Sequence, residues 1–215
     1  MNVGSVRVSV LKISKFVKSL KILQNFNLSE ESIEMEKTLR NKTITLSKEA
    51  AFIILTVVCA VVLPQIFHAV GVLIGVGGML GQIFLPMYIP VLMVGFCRGP
   101  ATGAIAGLLS PIVSFSITGM PSAALLPFIT LELVATGLLA GLFSKAKLPA
   151  VLRVLSVQVM AKAVRLVAFA ISLYTANGTV VASTLFAGVF TSVPGIILQL
   201  ILVTFLIMKK ETRHE

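Results

Sequence analysis

The stretch Ser122-Ala-Ala-Leu-Leu-Pro-Phe-Ile-Thr-Leu-Glu132-Leu-Val-Ala-Thr-Gly-Leu-Leu-Ala-Gly-Leu-Phe-Ser144 decides the fold class. It holds one charge in 23 residues. A membrane-crossing helix needs about 20 mostly apolar residues. Five further stretches read the same way, at 49–68, 83–98, 99–118, 150–175 and 182–208. The expected fold is therefore an all-α integral membrane protein of six transmembrane helices. Between the first two spans lies a Gly-rich stretch, Gly71 to Gly81, with five glycines. It reads as an extracellular loop able to act as a lid, with Tyr88 and residues 71–86 covering a pocket open to the outside.

Composition agrees. The 215 residues are 57% apolar and 12% charged, against about 45–50% and about 25% in soluble domains. Mean hydropathy is +1.02. One soluble core of this size cannot hide so much apolar surface from water. The net charge of +10 arises mostly at the ends, because residues 51–208 hold only six Lys/Arg and one Glu. This is topology charge and not a phosphate-binding surface, so nucleic acid is not an expected partner.

The positive residues give the orientation. Lys42 and Lys48 precede span one, and Arg98 lies between spans two and three. Lys145, Lys147 and Arg153 flank the junction of spans four and five, and Lys209, Lys210 and Arg213 follow span six. The connections at 69–82, 119–121 and 176–181 contain no Lys or Arg. Six spans with both termini cytoplasmic, in the cell membrane, produce this alternation.

Three segments follow: an extension over 1–47, a membrane domain over 48–208 and a cytoplasmic tail over 209–215. In the first, Lys12, Lys15, Lys18 and Lys21 alternate with Leu11, Ile13, Phe16, Val17 and Leu20. This is the pattern of a basic amphipathic helix on an anionic leaflet. A mobile extension, or a true start at Met35, accounts for the same residues.

Enzyme chemistry is not expected. The chain has no Asp, and His68 and His214 have no carboxylate or Cys at ligand spacing. No metal or other cofactor is implied, and no P-loop occurs. If ATP drives the chain, another subunit binds it.

Three charges fall inside spans: Glu132, Lys162 and Arg165. Such residues are costly in lipid and face a bundle interior or cavity. Glu132 and Arg165 each lie 11 residues from an outer span end, at 121 and 176. That is about 16 Å at 1.5 Å per residue, so the two are expected to pair. Lys162 lies one turn deeper on the stripe Gln158, Lys162, Arg165, Phe169, Ser172, with no protein partner expected. An anionic group on a solute would then meet it. For polar residues such as Gln199, Ser114 and Thr130, helix–helix hydrogen bonding is the plainer role. Gly103-x-x-x-Gly107 and Gly137-x-x-x-Gly141 favour close helix packing. Asn177-Gly-Thr179 reads as a turn that also matches a glycosylation pattern.

The run Gly81-Gln-Ile-Phe-Leu-Pro-Met-Tyr-Ile-Pro-Val-Leu-Met-Val-Gly-Phe-Cys-Arg-Gly-Pro-Ala-Thr-Gly103, with Gly107-Leu-Leu-Ser-Pro111 and Thr118-Gly-Met-Pro121, resembles the substrate-binding S components of energy-coupling factor (ECF) vitamin transporters. Leu131-Glu-Leu133, Ala163-Val-Arg-Leu166 and Pro194-Gly-Ile-Ile-Leu-Gln199 extend the resemblance over about residues 44–208. It implies capture of a vitamin or related micronutrient outside the cell. It also implies a transmembrane T component and two ATPase subunits as partners. The candidate substrate-binding set is Tyr88, Glu132, Gln158, Lys162, Arg165, Asn177 and Gln199. A self-sufficient secondary transporter, using the buried Glu/Lys/Arg cluster, is the alternative.

Overall fold

A computed structural model describes residues 3–77, 79–175 and 193–212, with side chains for 34–77, 79–81, 83–172, 193–210 and 212. Every element among the described residues is a helix: α1 (Val3–Leu73), α2 (Met79–Phe84), α3 (Tyr88–Arg98), α4 (Pro100–Thr118), α5 (Leu126–Phe143), α6 (Ala150–Thr175) and α7 (Val193–Thr212). Two units make up the chain, Met1–Lys48 and Glu49–Glu215. The first is helical from Val3. The second holds the packed bundle.

Five described helices are long and apolar enough to cross a membrane: α1 within Glu34–Leu73, then α4, α5, α6 and α7. The shortest of them, α5, has 18 residues and spans about 27 Å, close to a hydrocarbon core of about 30 Å. The protein is thus an α-helical, multi-pass membrane protein by length and composition.

The stretch 83–98 differs from the single span its composition suggests. It is broken at Leu85–Met87 into the end of α2 and the 11-residue α3. The cause is Pro86, which lacks an N–H and crowds an α conformation at the residue before it. Leu85 answers by adopting φ 45. Helix α3 alone reaches only about 16 Å. The Gly-rich connection is also shorter than the sequence suggests. Gly71 lies in the last turn of α1, which ends at Leu73, and Gly81 lies in α2, leaving 74–78 between the helices. Gly78 and the first part of the last expected span, 182–192, lie outside the described residues.

Helix α3 sits at the centre of the bundle. Its Leu92 and Phe96 pack with Ala140 of α5, Val154 and Val157 of α6, and Val203 and Ile207 of α7. Its Tyr88 and Val91 pack with Ala60 of α1 and Leu133 of α5. A single residue, Gly99 at φ 100, turns the chain from α3 into α4, and Pro100 opens the new helix, where its missing N–H costs nothing.

The two glycine motifs pack against each other's helices and meet directly at Gly103 and Gly137. Gly103 and Gly107 of α4 lie against the α5 backbone at Gly137 and Leu133, and Gly141 lies against Pro100. A Cβ on Gly103, Gly107, Gly137 or Gly141 would come within 3.0 Å of backbone atoms of the facing helix. Lipid tails are as apolar as the helices, so close packing of this kind holds helices together.

At the other end of α3, Arg98 is ion-paired with Glu49 and lies 4.3 Å from the centre of the Phe52 ring. Thr102 donates to Glu49 Oε2 at 2.9 Å. The start of the apolar part of α1 is thereby fastened to the α3–α4 corner. This contact was not expected from the sequence. Its signal was available: Glu49 edges span one, and Arg98 lies at the same membrane face in the charge pattern.

Candidate functional site

Glu132 is the centre of the site. It lies midway along α5, 0% exposed, and both carboxylate oxygens are engaged. Tyr88, the first residue of α3, donates its hydroxyl to Oε2 at 2.8 Å. Arg165 of α6 donates from Nη1 to the same oxygen at 2.9 Å. Lys162, one turn back on α6, places Nζ 2.5 Å from Oε1. That contact is ionic and poorly directed as a hydrogen bond. The ammonium also lies 5.1 Å from the centre of the Tyr88 ring.

The pairing of Glu132 with Arg165, expected from their equal depth, is present. Lys162 corrects the expectation of a cation without a protein partner. Residues three apart on a helix share a face, and a four-carbon stem lets the ammonium reach sideways along it. One carboxylate therefore serves two cations. Tyr88 also stands elsewhere than expected. It is 3% exposed and bonded to Glu132, so it belongs to the buried cluster and not to a covering loop.

A second network adjoins the first. Gln158, one turn before Lys162, donates to Gln199 Oε1 of α7 at 2.9 Å. Gln199 in turn donates to the carbonyls of Leu85 at 3.1 Å and Phe84 at 3.4 Å. These carbonyls belong to the break between α2 and α3, where the Tyr88 N–H turns to the Leu85 carbonyl at 3.1 Å and so leaves the Phe84 carbonyl without its helical donor. A broken helix inside a membrane persists when a neighbour satisfies its freed backbone. Gln199 is that neighbour. Gly195, one turn earlier on α7, lies against the carbonyls of Ile83 and Phe84, where a Cβ would not fit. The signal for this role was Pro86 within an apolar run, which breaks the helix and disturbs the backbone pairing around it.

Gln199→Leu is accordingly expected to leave the Phe84 carbonyl without the Gln199 donor and the Gln158 amide without its acceptor, while the Leu85 carbonyl keeps the Tyr88 backbone N–H. Stranding a buried polar group costs about 1–3 kcal/mol. Thermal unfolding of the purified protein in detergent measures the loss. A variant as stable as wild type would mean that the break does not depend on Gln199.

A cavity of about 310 Å³ opens beside these networks, between α6 and α7. Its walls are almost wholly apolar: Leu155, Val159, Ala163, Leu166 and Ile196, with the aliphatic parts of Gln158 and Lys162. Lys162 is the more accessible cation of the cluster, with its side chain 16% exposed against 11% for Arg165. Six of the seven candidate residues thus fall into two adjoining networks. The seventh, Asn177, lies outside the described residues. Among the described residues no group of three or more His, Cys, Asp or Glu is placed to hold a metal. Neither a protein-family model, nor a curated protein, nor a solved structure matches the chain.

Proposed function

We propose that this protein is the solute-capturing S component of an ECF-type importer. It takes a vitamin or related micronutrient from outside and delivers it inward with a T component and two ATPases. In this reading the chain crosses the cell membrane six times. Helices α2 and α3 together make the second crossing, and both termini are cytoplasmic. The alternation of charged and uncharged connections supports the orientation. The sequence resemblance over residues 44–208 supports the family.

The observation that carries the reading is the cluster itself. A buried carboxylate with two cations is costly in a membrane interior. Intramembrane ionisable groups of this kind mark solute or ion pathways. The chain lacks a P-loop, so energy from ATP has to arrive through partners.

Affinity purification of the full chain from native membranes tests this. A T component and two ATPases, recognised by their own P-loop sequences, are expected to elute with it. Solute uptake by the chain alone in ATP-free proteoliposomes would overturn the assignment in favour of a self-sufficient secondary transporter.

A further inference from the structure

The first unit of the chain, Met1–Lys48, carries its charge in blocks. Residues 3–23 hold Arg7, Lys12, Lys15, Lys18 and Lys21 and no acid. Residues 30–36 hold Glu30, Glu31, Glu34 and Glu36 and no cation. The six residues between the blocks, Gln24-Asn-Phe-Asn-Leu-Ser29, are uncharged. The first block is helical from Val3, and helical register sorts its residues by type. Val6, Val10, Ile13, Phe16, Val17 and Leu20 share an arc of about 120°, and all five cations fall outside that arc. A helix draws most of its stability from burying such an apolar face. The described side chains of this unit, Glu34 to Lys48, are all exposed, so they form no core of their own.

We propose that residues 3–23 are an interfacial helix that binds the surface of an anionic bilayer. The apolar arc enters the boundary between headgroups and acyl chains, and the cations meet the headgroups. A broad apolar face opposite Lys and Arg is what such a helix requires. Each Lys or Arg beside an anionic leaflet strengthens the attachment by about fivefold. Charge also argues against a second copy as the occupant. Copies inserted the same way in one membrane run parallel, and parallel blocks of five cations without an acid repel along their whole length.

The uncharged residues 24–29 give the chain a place to turn. Asn25, Asn27 and Ser29 are weak helix formers, and Asn27 followed three residues later by Glu30 is a helix-start pattern. An anionic surface attracts residues 3–23 and repels Glu30 to Glu36, so a turn between them lets the first block settle without the second. The inference rests on the cytoplasmic N-terminus proposed above, because the cytoplasmic leaflet is the anionic one. It does not rest on the importer assignment.

The chain has no Trp, so one introduced Trp reports on its own surroundings. The test uses the full chain in nanodiscs holding one copy each, made of phosphatidylcholine alone or with one-third phosphatidylglycerol. Ile13→Trp stands on the apolar arc and Ser19→Trp off it, and both lie outside the packed bundle. On anionic discs, Ile13→Trp is expected to shift its emission to the blue and to resist acrylamide, a neutral quencher, severalfold better than on phosphatidylcholine. Ser19→Trp is expected to stay open to the quencher on both. Changing Lys12, Lys15, Lys18 and Lys21 to Gln in the Ile13→Trp chain is expected to weaken the attachment by about 10²–10³-fold and to abolish the protection. Equal protection of Ile13→Trp on both lipids overturns the proposal, as does protection confined to discs with two copies, which would make a second copy the occupant. Absence of protection on anionic discs also overturns it, as for a solvated extension or a helix that awaits a protein. A chain that elutes with its ATPases yet leaves Ile13→Trp unprotected sinks this inference only. A chain that transports without ATPases sinks only the importer assignment, and an N-terminus found outside the cell sinks only the choice of leaflet.

Discussion

Glu132→Gln is expected to destabilise the protein by about 3–5 kcal/mol, the usual cost of removing one partner from a buried ion pair. The substitution is nearly isosteric, so packing is not the cause. It strands Arg165 and Lys162 side by side, with their only carboxylate gone. The Tyr88 hydroxyl keeps an amide oxygen to donate to, but loses a charged acceptor. Chemical or thermal unfolding in detergent measures the effect. A loss below about 1 kcal/mol would show that water or lipid reaches the cations and that the cluster is not buried as described. The combined variant Glu132→Gln, Lys162→Met, Arg165→Met removes every formal charge from the cluster. It is expected to recover much of the lost stability, since neutral replacement of buried ion clusters is often neutral or stabilising. Stability and ligand capture separate here. The triple variant is expected to fold and to lose solute capture.

The cluster was legible in the sequence to the extent that depth along a helix is legible. Counting residues from the span ends places Glu132 and Arg165 level, and they meet. The same counting misjudges Lys162, because it treats a side chain as a point at its Cα. A flexible stem several ångströms long erases an offset of one turn. Tyr88 was misjudged for another reason. Its place in the first turns of span two, next to the Gly-rich connection, suggested that it covers a pocket, whereas Pro86 ends one helix and the next begins at Tyr88 with that side chain turned into the buried cluster. The second network, Gln158 to Gln199 to Leu85, needed two facts that sequence does not connect. One is that the break at Pro86 frees the Phe84 carbonyl at the end of α2. The other is that α7 brings an amide to it.

The fold followed a similar division. Apolar length marks α4, α5 and α6 near the residues where the structure has them. It does not reveal that 83–98 is broken, because hydropathy is indifferent to backbone hydrogen bonding. The small-residue motifs were visible as motifs. Which motif faces which is tertiary information, and the structure alone shows Gly103 opposite Gly137.

That pairing carries the second large expectation. Gly137→Val is expected to cost about 3 kcal/mol or more, at or above the upper end for overpacking. A flexible side chain can move aside to admit an extra methyl group, but the atoms facing Gly137 are the backbone of Gly103. Helix α5 has to withdraw from α4, and Gly95 of α3, which also lies against Gly137, opposes a compensating shift. Gly137→Ala meets the same backbone with a smaller group, so about 1–3 kcal/mol is expected. Leu138→Val, one residue on and exposed on the outer face of α5, is expected to stay within about 0.5 kcal/mol. Unfolding of the three variants in one detergent gives the ranking. A Gly137→Val protein as stable as Leu138→Val would mean that α4 and α5 do not touch through their backbones. The withdrawal also has a consequence for the site. Glu132 lies on the same rigid helix five residues away, so a displaced α5 draws the carboxylate from Tyr88, Arg165 and Lys162 together. Gly137→Val should therefore weaken solute capture even in the fraction that folds, whereas Leu138→Val should not.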